Sequence, residues 1–509
     1  MASNYQKLYY SDYEKAVAER DAAKTELARQ AREISFLRGE LKKAEQRTDA
    51  LEALVKNLIA QSKELVAQNK ELAAQNKELA AQNKDLREEV DRLKSILDND
   101  SHNSSLPPSQ DKPRKANEYN ARKKSEKKSG AQKGHAGKTV SEEDVKKILA
   151  SPDCKHIIQN HGKPGRHYTS RYVLDMQVVP VVTEHRYYDS VRPNGSFISY
   201  GDTVKSVIVS LYGAGVMALN RIVSFIHELT HHTLRIAEGT VYQACQTFAN
   251  RAASEIDRFE QHLMNRKNLH TDATYITVNG EQNYIRNISD NQVVVYYPMA
   301  SKTIRELERI DLLRKYKGTL VHDHETALYH FGLEHAECNV HVCRYLRKNA
   351  EDTGNQWSCD MENLLEEMRV TREEALKNGV TSFSEDVIAS FEKRYDDILC
   401  VALTQNESTH PKWAKKDEKT LINRMQNYKQ QHLLFLHDFS VAYSNNLSER
   451  DLRKCKNRQK MAGGFRTLEG CRMYCLIMSV IETAKRNGKE VFNVLRCIFQ
   501  GEETHLITI

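Results

Sequence analysis

Three acidic residues stand in sequence contexts that could bind divalent metal ions. Asp272 lies in the strand-like segment HTDAT, Asp323 follows a short apolar run, and Glu449 lies early in a helix-like basic segment. Any one of these acids alone is most simply a solvated surface residue. Together, on two strands and a helix, they predict a cleft whose carboxylates bind two Mg²⁺ or Mn²⁺ ions, because such ions prefer carboxylate and water oxygens.

The elements that must position the first two acids are predicted from local residue types. β-Branched and aromatic residues predict a strand through the first acid. Asn279 and Gly280 tolerate the positive φ of a two-residue hairpin turn, and strands over residues 283–288 and 292–297 complete a meander. A helix over residues 303–315 is predicted to lead to the strand that ends at the second acid.

The third acid is predicted in the opening turns of a helix that Asn446 or Ser444 could cap. A basic helix behind a carboxylate suits a polyanion held against metal ions. Its basic residues are Arg450, Arg453, Lys454, Lys456, Arg458 and Lys460. Four histidines near the acids could position a substrate or water, or form hydrogen bonds within the fold. They are His270, His322, His324 and His341.

A leucine heptad repeat indicates a long coiled coil over residues 1–98. Leucines recur every seven residues from 51 to 93, and the facing core positions include Asn69, Asn76 and Asn83. Buried asparagines are costly unless they pair across two helices, so the repeat predicts a parallel dimer. A single exposed helix is the alternative.

Residues 99–140 are predicted to be a flexible tether, since prolines and glycines replace apolar periodicity. Ten Lys or Arg residues stand against two Glu residues between 112 and 138. Such a tether could bind phosphates by releasing counterions. We expect Lys123, Lys124, Lys127 and Lys128 to take part.

Residues 141–199 predict a small β-containing module, with strands over 178–182 and 184–188. We expect no zinc there, because the candidate ligands lack the close pairs of a structural zinc site. These candidates are Cys154, His156, His161 and His185.

Residues 200–264 predict three short helices divided by glycine turns, the third capped by Thr240. The region resembles a helix-turn-helix unit that binds DNA, with Arg251 and Arg258 available for phosphates, but a plain helical connector is equally compatible. The catalytic core is predicted over residues 265–350 and 441–509. The 126 residues between the second and third acids indicate a helical insertion over 351–440.

The overall composition constrains the class of protein. Lys and Arg number 76 against 69 Asp and Glu, giving a net charge of +7. No segment reads as a signal peptide or membrane span, and the ten cysteines lack a disulfide framework, so we expect reduced thiols in a cytosol.

Several of these motifs together resemble bacterial transposases of the insertion-sequence-66 type. The family's linker signature resembles NSSLPPSQDKPRK and GAQKGHAG, and its acid motifs resemble HTDAT, GTLVHDHE and NNLSERDLRKCKNRQKMAGGFRT. CNVHVCR resembles its CxxH segment. The family's zinc module is a point of departure, since only Cys154 remains as a possible remnant.

The resemblance implies an α+β multidomain protein with a ribonuclease-H-like α/β catalytic core. It implies a DDE transposase in which Asp272, Asp323 and Glu449 are catalytic and bind the metal ions. Its partners would be DNA, as terminal inverted repeats and target, a second copy of the chain, and accessory transposition proteins, in the bacterial cytoplasm. The alternatives are a non-catalytic DNA-binding protein derived from such an enzyme and a coiled-coil scaffold.

Overall fold

The computed structural model describes residues 29, 31–35, 58–100, 103–104, 140–152, 154–159, 161, 170–186 and 198–507. The chain divides into two compact units. One comprises Met1–Asp111, Pro193–Phe225 and Ile236–Ile509, and the other comprises Lys112–Arg192 and Ile226–Arg235. The basic tether between residues 112 and 138 lies outside the described residues.

A five-stranded sheet forms the centre of the first unit. Its strands are β1 (Asn268–Val278), β2 (Glu281–Ser289), β3 (Val294–Met299), β4 (Thr319–His322) and β5 (Glu334–Glu337). Their order is β3-β2-β1-β4-β5. The first three strands form an antiparallel meander, while β4 is parallel to both β1 and β5. The predicted meander is therefore confirmed, and Asn279 (φ 52°) and Gly280 (φ 78°) form its first turn.

Helices occur in both units among the described residues. Their bounds, in chain order, are α1 (Leu58–Leu97), α2 (Glu142–Leu149), α3 (Asp202–Gly213), α4 (Leu219–Leu229), α5 (Glu238–Arg251), α6 (Ala253–Met264), α7 (Ile304–Leu307), α8 (Asp311–Lys315), α9 (Asn339–Thr353), α10 (Gln356–Lys377), α11 (Glu385–Ser408), α12 (Lys412–Asn427), α13 (Lys429–His437), α14 (Asn446–Ala462), α15 (Leu468–Arg486) and α16 (Val491–Gln500).

Four of these helices pack directly on the sheet. α14 lies against β1 and β2, α15 and α6 lie against β3, and α13 lies against β5. The face of α15 that meets β3 includes Ser479, which accepts the N–H of Tyr296 at 3.0 Å. The predicted helix over 303–315 is two short helices, because the backbone of Ile310 is extended (φ −86°, ψ 100°).

Helices α3 and α5 pack on each other and on α15 and α16. The helices predicted between residues 200 and 264 are thus present. Thr240 does not cap the third one, which begins at Glu238 after the N-cap residue Ala237. Whether this region binds DNA stays a prediction.

Helices α10 to α13 lie within residues 351–440, where the helical insertion is predicted. The core of this segment surrounds Trp357, which is fully buried and donates its indole N–H to Glu418 at 2.7 Å. Tyr428 separates α12 from α13.

The end of α1 is attached to this insertion by polar contacts. The hydroxyl of Ser95 donates to Asp352 at 2.6 Å, and Lys348 donates to the carbonyl of Ser95 at 2.7 Å. The Asn103 side chain donates to Glu351 at 2.6 Å. The end of the long helix therefore has a defined attachment to α9.

In the second unit, α2 begins with a capping box. Ser141 accepts the N–H of Asp144, whose carboxylate accepts the N–H of Ser141 at 3.0 Å. The strands predicted over 178–182 and 184–188 are wrong for the described stretch 170–186, which has no regular secondary structure. Among the described helices, none is long and apolar enough to cross a membrane.

Candidate active site

The first two acids are brought together by the parallel pairing of β1 with β4. In this pairing His270 lies opposite Val321. Two residues further along each strand are Asp272 and Asp323, which follow the last paired positions at the same edge of the sheet. Because parallel neighbours keep their register, the distance of 51 residues along the chain becomes a local juxtaposition.

The third acid is brought to the same edge by the start of α14. Its N-cap residue is Asn445, whose side-chain amide donates to the carbonyl of Thr271 at 2.9 Å and whose side-chain oxygen contacts His270 Nδ1 at 3.1 Å. Asn445 thus binds β1 instead of capping its own helix, and the predicted caps at Asn446 and Ser444 are wrong. Glu449 lies in the first turn.

His341, in the first turn of α9, lies between the second and third acids. Its Nδ1 is 3.0 Å from Oδ1 of Asp323 and 3.9 Å from Oε1 of Glu449. Its Nε2 is 3.1 Å from a guanidinium nitrogen of Arg344. His341 is buried, whereas the side chains of Asp323 and Glu449 remain partly accessible. The cleft is therefore open on the side of the acids.

Burial and mutual repulsion raise the pKa values of two of the acids, whereas His341 lowers the pKa of the other. Burial raises the pKa of Asp272, and the nearby Asp323 carboxylate raises it further. Burial likewise raises the pKa of Glu449. Burial would also raise the pKa of Asp323, but His341 outweighs it and lowers that pKa below its ordinary value. For His341, burial is outweighed by Asp323, which raises the histidine pKa well above normal.

Nδ1 of His341 and Oδ1 of Asp323 form a buried ion pair at 3.0 Å and have no further hydrogen-bond partner among the described residues. Oε1 of Glu449 lies 3.9 Å from the same nitrogen and has no hydrogen-bond partner there. A buried oxygen without a hydrogen bond is rare in folded proteins and indicates an unseen water or ion. Carboxylate oxygens are suited to Mg²⁺ or Mn²⁺, so the residues present fit a divalent cation.

Asn287 connects the strand of the first acid to the helix of the third. It is fully buried opposite Asp272 in the antiparallel register. Its side-chain oxygen accepts the backbone N–H of Asp272 at 3.1 Å and the hydroxyl of Ser448 at 3.1 Å. Its amide donates to Asp451 at 3.0 Å. The Asn287 side chain therefore holds the backbone of Asp272 beside the first turns of the helix that carries Glu449.

Two buried cations beside Asp272 are not apparent from the sequence. Lys302 follows β3, is only 6% exposed, and acts on the charges of both Asp272 and Asp323. Arg286 is fully buried, with its guanidinium donating to Glu325 at 2.7 Å. Burial lowers the pKa of Lys302 well below normal. Neither residue lies in a recognisable motif, so only the strand register reveals them.

A buried carboxylate joins the helical insertion to the loop after Asp323. Glu337, at the end of β5, accepts from His324 and Tyr329 at 2.5 Å each, from Arg424 at 2.7 Å and from His432 at 3.2 Å. Burial would raise the pKa of Glu337, but these donors lower it far below its usual range. His324 is thus held by β5, and Glu337 links it to Arg424 and His432 of the insertion.

The comparisons with known proteins bear directly on this site. A family model described as "Transposase IS66 family" matches residues 199–473, more than half of the chain and the whole sheet with all three acids. The chain belongs to the IS66 transposase family. A second model, a family of unknown function (DUF6444), matches residues 14–141. No curated protein matches the chain.

In this member of the IS66 family, the predicted basic residues of α14 have different environments. Four are exposed, and Arg453, Lys456 and Lys460 recur on the same helical face as Glu449. Lys454 forms an ion pair with Glu482. Arg458 is only 5% exposed and donates to the carbonyl of Met217 at 2.9 Å. Arg458 therefore packs within the fold and is not available to DNA.

The predicted histidines also divide by environment. Burial lowers the pKa of His322 to about 4, so its ring is neutral at pH 7. Its Nδ1 contacts the carbonyl of Asp323 at 2.6 Å. Burial also lowers the pKa of His270, which contacts Asn445. Of the four, His341 alone lies between two of the acids. The described residues do not include the four tether lysines, which are Lys123, Lys124, Lys127 and Lys128.

Proposed function

We propose that this IS66-family protein is a DNA transposase that cleaves element ends and joins them to target DNA with Asp272, Asp323 and Glu449. The observation that carries the proposal is the convergence of the second and third acids on His341, with a Glu449 oxygen that has no hydrogen-bond partner among the described residues, beside the register position of Asp272. Family membership alone supports a role in transposition, and this geometry supports the finer mechanism.

The three carboxylates of Asp272, Asp323 and Glu449 would hold two Mg²⁺ or Mn²⁺ ions. When bound, such a pair of ions activates the attacking oxygen and stabilises the leaving oxygen of a phosphodiester. The protein itself needs no side-chain nucleophile, because water cuts first and the freed 3′-hydroxyl then attacks target DNA. Lys302 would offset part of the negative charge of Asp272 and Asp323, which favours keeping both acids ionised.

We infer that the sheet is a ribonuclease-H-like core. An antiparallel meander carrying the first acid, followed by two parallel strands with the second acid after β4, supports this assignment. The third acid then comes from a helix packed on β1 and β2. This arrangement places one carboxylate on each of three elements around a single edge.

DNA would lie along the exposed basic face of α14. Arg453, Lys456 and Lys460 extend from Glu449 along one side of the helix, so a phosphate backbone bound there would approach the acids. The exposed Arg450 is adjacent. The basic tether between residues 112 and 138 would add affinity without sequence preference.

The long helix α1 would join two copies of the chain as a parallel coiled coil. Leu72, Val90 and Leu97 occupy heptad core positions and are 40%, 42% and 50% exposed in the single chain. Such an apolar row favours burial against a second helix. Glu89 and Lys94 stand at flanking positions that pair between parallel helices.

The deciding experiment is magnesium-dependent nicking of a supercoiled plasmid that carries the element's terminal repeats. The parent protein should nick this plasmid, while Asp272→Asn, Asp323→Asn and Glu449→Gln should bind it without nicking. Exposed Asp311→Asn is the matched control and should retain parental activity. A triad variant that nicks at near the parental rate removes that residue from the mechanism, and binding without nicking by the parent favours a non-catalytic protein.

A further inference from the structure

A cysteine and a histidine from the start of α9 lie beside the second acid. Cys338 is the N-cap residue of α9, His341 lies in its first turn, and both are buried at 1% and 6% exposure. The Sγ of Cys338, a ring nitrogen of His341 and a carboxylate oxygen of Asp323 all lie within 4.8 Å of one another. Thiol, imidazole and carboxylate therefore meet at one point.

These atoms are near enough to become ligands of one small ion. Zinc binds sulfur at about 2.3 Å and nitrogen at about 2.1 Å, so two such ligands of a tetrahedral ion lie about 3.6 Å apart. The donor atoms, which lie within 4.8 Å of one another, would close by up to about 1.2 Å on binding. Nδ1 of His341 and Oδ1 of Asp323 are buried, lie 3.0 Å apart as an ion pair and have no further hydrogen-bond partner among the described residues, so an ion bound there would replace their mutual contact.

A fourth oxygen atom and a hydrogen bond to the thiol lie at the same place. Oε1 of Glu449 is 3.9 Å from Nδ1 of His341 and has no hydrogen-bond partner in the described part of the chain. The backbone N–H of Asn445 donates to Sγ of Cys338 at 3.2 Å, the kind of outer contact that stabilises a metal-bound thiolate.

We propose that Cys338, His341, Asp323 and Glu449 form a binding site for a thiophilic divalent ion of the Zn²⁺ class. A thiolate and an imidazole select zinc over magnesium, because soft ligands favour such metals whereas Mg²⁺ favours oxygen. This site departs from our expectation of no zinc, which rested on the separate segment around Cys154. Binding of the ion does not depend on the proposed catalytic function.

The same geometry requires a movement of Arg344. A neutral histidine that binds an ion through Nδ1 carries its proton on Nε2, where it would face the guanidinium of Arg344 at 3.1 Å. The half-buried arginine must turn away when the ion binds. Arg344→Ala should therefore bind the ion more tightly than the parent.

If the proposed function holds, zinc and magnesium compete for this site. Asp323 and Glu449 would be ligands of both, so one occupant excludes the other. Nitrogen and sulfur ligands favour zinc strongly, so micromolar zinc should suppress nicking in millimolar magnesium. This consequence rests on the proposed function, whereas ion binding can be measured without DNA.

The test titrates Co²⁺, a coloured zinc analogue, into the reduced, metal-free full-length protein without DNA. We expect a thiolate-to-cobalt charge-transfer band that zinc displaces. Cys338→Ser should lose this band and bind the ion at least tenfold more weakly, while Cys343→Ser, a buried thiol in the same helix that contacts Tyr443, should behave as the parent. His341→Gln tests the site independently if Cys338→Ser fails to fold.

Two results would overturn the proposal: an absent band in the parent, or an unchanged band and affinity in folded Cys338→Ser or His341→Gln. Zinc inhibition of nicking is measured separately. A parent that binds cobalt through Cys338 but never nicks DNA refutes the proposed function and leaves the ion site standing.

Discussion

Replacing Asp272 or Asp323 by asparagine should change stability in opposite directions when no metal is present. The folded-state pKa of Asp272 is raised, so its charge destabilises the fold above the ordinary titration range of aspartate. Asp272→Asn should therefore melt at or above the parental temperature at pH 7, and this difference should vanish at acid pH. The physical cause is relief of burial and of repulsion from Asp323.

The charge of Asp323 stabilises the fold, unlike that of Asp272, because His341 holds the pKa of Asp323 below its ordinary value. Its stabilising contribution is present above the unfolded-state pKa and is lost as pH falls through the folded pKa. At pH 7, Asp323→Asn should have a free energy of unfolding roughly 1–3 kcal/mol lower than that of the parent, which is the range for losing an interaction with a charged partner. As the pH falls through this lowered pKa, the free energy of unfolding of Asp323→Asn should approach that of the parent.

Magnesium adds a second readout to the same variants. An ion at one hundred times its dissociation constant stabilises the parent by about 2.7 kcal/mol, which raises the melting temperature of a chain of this size by about 3 to 4 °C. Both variants should lose most of this rise. Strand cleavage should fall by about a thousandfold or more, since metal charge stabilisation contributes several kcal/mol and each 1.36 kcal/mol is tenfold.

The assay combines thermal melting at several pH values, with and without magnesium, and plasmid nicking. Asp311→Asn serves as control because its exposed carboxylate lies on α8 and pairs only with neighbouring residues of that helix. The reasoning is refuted if Asp323→Asn is as stable as Asp272→Asn without metal, or if either variant keeps the magnesium-dependent rise in melting temperature.

Four further outcomes are expected. Asn287→Ala should raise the magnesium concentration for half-maximal nicking by roughly 10- to 100-fold, as loss of outer-shell support does, whereas Asn283→Ala on the same strand should not. Glu337→Gln should lower the free energy of unfolding, measured in urea, by about 3 kcal/mol at pH 7. The difference from the parent should narrow as the pH falls through the lowered pKa of Glu337, and a pH-independent difference would contradict the charge argument. Deletion of residues 1–98 should reduce the mass in solution from dimer to monomer by light scattering, and an unchanged mass would exclude the coiled-coil dimer. Replacing four tether lysines by glutamine should weaken binding to all DNA sequences alike. The slope of the logarithm of the binding constant against the logarithm of the salt concentration should become shallower by about 0.9 per lost phosphate contact. A loss of binding confined to terminal-repeat DNA would contradict this prediction. The substituted lysines are Lys123, Lys124, Lys127 and Lys128.

The sequence by itself determined the features that arise from local chemistry. The Asn279-Gly280 turn needs positive φ at both residues, and the structure has it there. Strand and helix patterns place Asp272 within β1, Asp323 directly after β4 and Glu449 in the first turn of α14, as expected. These features depend on neighbours a few residues apart, so their periodicity and turn residues are readable without tertiary contacts.

Tertiary structure alone decided which side chains support or surround the acids. Asn287 is an ordinary polar strand residue until the antiparallel register sets it opposite Asp272. The cap position of α14 shifted because the Asn445 side chain binds Thr271, a residue 174 positions away. Arg458 seemed one more cation of a basic helix, yet the fold buries it.

Tertiary structure also decided how the chain passes back against β1 after α14. Gly464 has φ 95°, and a Cβ there would lie 2.3 Å from the carbonyl of Thr277, so glycine permits the close approach of this segment to β1. Phe465 then donates its N–H to that carbonyl at 2.8 Å. Long-range register, backbone proximity and burial are properties of the folded chain, and no local pattern of residue types contains them.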